Sequence, residues 1–92
     1  MKRVRKLVRQ VKQDPYLLGC ADQLRIEMVK WDPHTNHGLF VVYDAALGRQ
    51  KYDCKYCQWD WVNIRSSLAY YRIWRMVNYI LLNKLRQNEQ NR

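Results

Sequence analysis

Apolar residues recur in the first thirteen positions at Val4, Leu7, Val8 and Val11, the i, i+3, i+4, i+7 spacing of one helix face. Asp14-Pro15 ends that pattern: Asp suits an N-cap, and Pro suits a first helical position because it has no N–H to leave unpaired. A second helix is therefore predicted over 15–31, with Leu17, Ala21, Leu24, Met28 and Trp31 on one side and a weak point at Gly19. Asp32 to Gly38 is rich in turn formers and predicts a loop.

Leu39 to Tyr43 is short, β-branched and aromatic, the signature of a buried strand. Asp44 to Gly48 would turn the chain, and Arg49 to Asp53 would return as its partner. The same residues admit a rival, a short buried helix over Leu39 to Leu47 bounded by glycines. The last third is clearer. Ala69, Ile73, Met76, Val77, Ile80 and Leu81 gather on one side of a helix, flanked by Tyr70, Trp74 and Leu85. Arg65, Arg72, Arg75, Tyr79 and Arg86 run along the opposite side. The expected fold is thus mainly α with a short β-hairpin, a small α+β domain. It comprises a basic helix or arm over 1–13, a folded core over 14–86 and a frayed tail over 87–92.

Ninety-two residues, 48% of them hydrophobic, allow one domain with a core of its own. The longest apolar run, Leu39 to Tyr43, is far short of a membrane span, so none is expected. The amino terminus carries charge with no apolar stretch behind it, unlike a secretory signal, which favours the cytoplasm or nucleus. Three cysteines cannot all pair within the chain, and this too suits a reducing compartment.

The net charge of +9 is unevenly placed. Lys2, Arg3, Arg5, Lys6, Arg9 and Lys12 stand at one end without an acid among them. Arg65, Arg72, Arg75, Lys84, Arg86 and Arg92 stand at the other against Glu89 alone. The centre, 14–61, is slightly acidic. Segregated positive charge draws polyanions and speeds their encounter, whereas charge spread evenly would serve only solubility.

Both histidines lie at His34-x-x-His37, and two of the three cysteines at Cys54-x-x-Cys57. Zinc takes four imidazole or thiolate ligands in a tetrahedron, and a two-residue gap lets one tight turn present a pair. A hairpin between the pairs would bring His34, His37, Cys54 and Cys57 to one structural zinc ion. Residues 34–75 then resemble the layout of treble-clef zinc fingers, with histidines where that architecture usually has cysteines. The competing reading leaves the histidines in a loop and the cysteines in the core. A redox Cys-x-x-Cys lacks its βαβ context.

An all-α alternative is a helix-turn-helix. Gln58 to Ile64 would be the supporting helix, Arg65-Ser66 the turn, and the helix from Ser66 the one presented to a groove of DNA. Either fold turns Arg65, Arg72 and Arg75 outward. No nucleophile–base pair, paired carboxylates or glycine-rich phosphate loop points to an enzyme. The expected function is a small basic nucleic-acid-binding protein, of the kind viruses and phages use as accessory factors. It would hold DNA or RNA phosphates through Lys2, Arg3, Arg5, Lys6 and Arg9 and through Arg65, Arg72, Arg75, Tyr79 and Arg86. The rival is an interaction module whose C-terminal apolar seam binds a protein partner or a second copy.

Overall fold

The computed structural model describes residues 2–17, 19–49 and 55–90. Helix α1 spans Lys2–Lys12. Its apolar stripe turns inward, with Val11 fully buried and Val4, Leu7 and Val8 packed against the core. The Asp14 carboxylate accepts the Tyr16 N–H at 2.9 Å, and the first of two short 3-10 turns, Pro15–Leu17, follows. Here the predicted helix over 15–31 fails. Gly19 sits at φ 76°, a left-handed conformation that ends one turn before Cys20–Gln23 begins the other. From Leu24 the chain is extended: strand β1 covers Leu24–Asp32.

Strand β2 covers His37–Asp44 and β3 covers Cys57–Asn63, and the three form one antiparallel sheet in the order β1-β2-β3. The expectation of a mainly α fold with one short hairpin is corrected accordingly, although its α+β character holds. Residues 57–63 pair with β2 as a strand, so they are not the supporting helix of a helix-turn-helix, and the all-α alternative falls with it. The treble-clef layout falls too, because β2 lies between β1 and β3 in a meander instead of forming an isolated hairpin. The buried strand expected at Leu39 to Tyr43 forms the middle of β2, and the helical rival for these residues is excluded. β2 pairs with β1 and β3, and the expected partner over 49–53 is described only at its first residue. Arg49 is a bend, and 50–53 lie outside the described residues.

The turn from β1 to β2 is set locally. Asp32 Oδ1 accepts the His34 N–H at 2.9 Å, and Asn36 takes a left-handed φ of 56°. Beyond β3, Ser66 Oγ accepts the Leu68 N–H at 3.1 Å, and its carbonyl accepts the Ala69 N–H at the start of helix α2, Ala69–Gln90. The helix therefore runs past Gln87, where a frayed tail was expected. It is not apolar enough to cross a membrane, nor is any helix among the described residues.

Helix α2 lies over β2 and β3 and packs against α1, so both helices share one face of the sheet. Its seam of Ala69, Ile73, Met76, Val77 and Ile80 is buried against Leu24, Phe40, Val42 and Val62. At about 25 cal/mol per Å² of apolar surface, each large side chain so buried stabilises the fold by roughly 1.5–3 kcal/mol. The core-facing residues of the C-terminal seam are thus covered by the protein's own sheet, while Leu82 and Leu85 stay exposed.

Candidate nucleic-acid interface

Strand β3 is an edge strand, and α2 passes beside it. The sequence there alternates, Gln58-Trp59-Asp60-Trp61, so successive side chains point to opposite faces of the sheet. Gln58 and Asp60 pair in register with Val42 and Phe40, whose side chains lie in the core beneath α2. Asp60 therefore leans toward the helix at its exposed margin. Arg72, one turn into α2, donates to it twice: Nε to Oδ2 at 2.8 Å and Nη2 to Oδ1 at 3.0 Å. This fork-to-fork geometry fixes both side chains and partly neutralises the arginine.

One turn further, Arg75 places its guanidinium carbon 6.0 Å from the centre of the Tyr71 ring. Tyr71 in turn stacks on Trp74, with ring centres 6.2 Å apart and planes at 18°. Tyr16 leans on the same indole at 5.7 Å. Arg72, Arg75 and Tyr79 line one open groove with Trp59 and Asp60, a space of about 460 Å³ between the sheet edge and the helix. Tyr79 and Trp59 are both exposed. Arg86 is also exposed on α2, seven residues or roughly 10 Å beyond Tyr79 along the helix.

The basic residues of α1 fall elsewhere. Lys2, Arg3, Arg5, Lys6 and Arg9 are all exposed. Lys2 and Arg3 share a cleft of about 290 Å³ with Trp31, Asn36 and Arg65, so the start of α1 meets the turn before α2 there. Arg5 and Arg9 line a separate groove against Asp22 and Ile26. The ten residues read from the sequence therefore do not form one patch. Three gather in the β3–α2 groove, three more gather where α1 meets the start of α2, and the rest are spread along α1 and α2.

The described zinc candidates, His34, His37 and Cys57, do not gather. His34 lies in the β1–β2 turn and His37 opens β2, with its Nδ1 2.8 Å from the Thr35 carbonyl oxygen. In the sheet His37 pairs with Asn63, while Tyr43 pairs with Cys57. His37 and Cys57 thus stand at opposite ends of β2, roughly 20 Å apart along the strand. Zinc bonds to nitrogen and sulfur are about 2.0–2.3 Å, so the structure does not bring His37 and Cys57 to one ion. Cys54 lies outside the described residues. Among those described, no group of three or more His, Cys, Asp or Glu gathers in a way that could hold a metal.

Sequence reasoning missed Asp60 as the partner of Arg72, because the contact depends on β3 being a strand. The period-two alternation over 58–61 was the signal that could have found it. Set against protein-family models, curated proteins and solved structures, the chain matches none.

Proposed function

We propose that the protein binds nucleic acid through the groove between β3 and α2, with the basic surface of α1 adding long-range attraction. One observation carries the reading: Arg72, Arg75 and Tyr79 line a single groove with the exposed Trp59. Cations that meet phosphate, beside rings on which bases stack, are the two components that backbone-directed binding requires. Arg75 is the principal phosphate ligand, since its guanidinium lies over a tyrosine ring while that of Arg72 is engaged by Asp60. Binding, and no catalytic step, is the activity proposed.

The test is fluorescence anisotropy of a labelled oligonucleotide across a series of salt concentrations. Log affinity should fall linearly with log salt, with a slope near −0.9 for each phosphate neutralised on duplex and near −0.7 on single strands. Arg75→Ala should make the slope shallower by about one such increment. Affinity indifferent to salt, and unchanged in Arg75→Ala, would remove the reading.

A second reading has its own observation. An apolar groove of about 950 Å³ lies between the 3-10 turns and the C-terminal half of α2, lined by Tyr16, Leu17, Leu81, Leu82 and Leu85. Of these, the exposed Tyr16, Leu82 and Leu85, and not the buried seam, are what a protein partner would meet. Such a contact should respond little to salt.

A further inference from the structure

The second face of the sheet is built differently from the one beneath the helices. Read across the strands, it carries the rows Lys30–Leu39–Trp61, Glu27–Val41–Trp59 and Arg25–Tyr43–Cys57. Neither Val41 nor either tryptophan belongs to the core cluster that α1 and α2 cover. Trp59 is 44% exposed and Trp61 38%, and Arg25 and Lys30 are exposed on the opposite edge. A sheet with one solvated face ordinarily makes that face polar. Here Val41 at its centre and Cys57 at one end are buried, at 0% and 1% exposed, and the exposed apolar surface is that of Trp59 and Trp61.

Arg25 reaches this face by ordinary strand alternation, and Lys30 reaches it because of an irregularity. The register of β1 against β2 shifts between Met28 and Lys30, so Met28 and Trp31 both pack toward the core while Lys30 turns to the other face, opposite Leu39. The carboxylates on the face are engaged locally. Glu27 accepts the Tyr43 hydroxyl at 2.8 Å, and Asp32 accepts the His34 N–H at 2.9 Å. Trp59 also lines the β3–α2 groove, so face and groove are continuous across the edge strand.

Stacking selects the ligand. Within a duplex both faces of each base are already covered by its neighbours, whereas a single strand can turn its bases out onto aromatic side chains. Trp59 and Trp61, two residues apart on one strand and hence roughly 6.6 Å, lie on the same face and can each take one. Resting on the nucleic-acid reading above, we propose that this face is a stacking platform for single-stranded nucleic acid. Bases lie on Trp59 and Trp61, phosphates lie toward Lys30 and Arg25, and the strand continues over the β3 edge to Arg75 and Tyr79.

The test uses the full chain, with a labelled oligothymidylate or oligouridylate and a duplex of equal length. Single strands should quench tryptophan fluorescence and bind tighter than duplex. Trp61→Ala and Trp59→Ala should each weaken single-strand binding by about 5- to 150-fold, the range for losing one stacked base, while Trp61→Phe keeps most of it. Lys30→Glu, a surface change that removes no ring, should weaken it too and guards against a folding defect in the tryptophan variants. Unchanged single-strand affinity in Trp61→Ala and Trp59→Ala, with Arg75→Ala still impaired, would overturn the platform and leave the groove standing. Preference for duplex would do the same. Failure of every oligonucleotide to bind would remove both. Binding of a neutral polysaccharide in place of oligonucleotides, lost in Trp61→Ala, would assign the face to sugar rings.

Discussion

The carboxylate of Asp44, only 3% exposed at the end of β2, meets Lys84 Nζ from the far part of α2 at 2.5 Å. The same lysine donates to Gln23 Oε1 at 2.7 Å, and Asp44 Oδ1 accepts the Ala46 N–H at 2.9 Å and the Leu47 N–H at 3.3 Å. One side chain thereby ties a strand end, the turn after it and the C-terminal helix together. Burial by itself pushes this carboxyl up, but the Lys84 hydrogen bond and charge and the two amides outweigh it and hold it below its ordinary value.

A carboxyl depressed in the folded state stabilises the fold above the ordinary carboxylate range, and that contribution disappears as pH falls through the folded value. Urea unfolding should therefore show stability lost on acidification. Lys84→Met keeps the aliphatic stem but leaves Asp44 buried with its amides alone. It should cost about 1–3 kcal/mol at neutral pH and weaken the acid dependence. Equal stability of the variant at neutral pH would show that the amides suffice.

A second tie joins α1 to α2. The Tyr70 hydroxyl donates to Asp14 Oδ2 at 2.5 Å across fifty-six positions of sequence. Burial, then the hydrogen bond and charge of Asp14, push Tyr70 up to about 12. In an ultraviolet titration the Tyr70 step should come late, and it should vanish in Tyr70→Phe, while Tyr43, raised by its hydrogen bond to Glu27, keeps its own delayed step. The sign follows from the raised value. The tie stabilises the fold fully below the ordinary tyrosine range and is lost as pH climbs through about 12.

At Gly38 the fold leaves no room for a side chain. A Cβ there would overlap Met28 Sδ and Cγ across the sheet and press on Phe40 Cε2 at 3.3 Å. Gly38→Ala should destabilise by about 1–3 kcal/mol, the usual cost of overpacking a filled core. Met28→Ala also destabilises, but the double variant should lose less than the two changes summed, because removing the thioether makes the space. Additive losses in thermal unfolding would place the strain elsewhere.

Some of this was legible in the sequence for physical reasons, and the failures have physical reasons too. α1 and α2 each repeat one period long enough to read as helices, whereas the short apolar run in the middle of β2 fits a strand and a buried helix alike, because periodicity does not separate the two at that length. The segment 15–31 was misread because Leu24, Met28 and Trp31 sit at i, i+4 and i+7, which is helical spacing. The same three face one side of a strand once the irregularity after Met28 adds a residue. Ile26 between Leu24 and Met28 was the period-two signal, and Gly19 the break. The cations on α1 and α2 were readable as outward because their helices were. Which of them would meet in space depended on β3, and the His-x-x-His and Cys-x-x-Cys spacing gave no hint that β2 would hold His37 and Cys57 at opposite ends.

The Arg72–Asp60 pair yields the sharpest prediction for the binding groove. Asp60 is an anion already seated where a phosphate would approach, and it holds Arg72 by two hydrogen bonds. Exposed as the pair is, its contribution to stability is at most about 1 kcal/mol, so Asp60→Asn should leave the protein folded. It removes the competing charge while keeping the shape of the side chain, and it frees the guanidinium for bidentate contact with phosphate. Affinity for oligonucleotides should rise, and the salt dependence should steepen by about 0.7 for one further phosphate on a single strand. Arg72→Ala alone should weaken binding less than Arg75→Ala, because its charge is partly met in the wild type. In an Arg72→Ala background Asp60→Asn should gain only the relief of repulsion, with no steeper slope. If Asp60→Asn weakens binding instead, then the carboxylate holds Arg72 in its working position and the pair acts as one ligand.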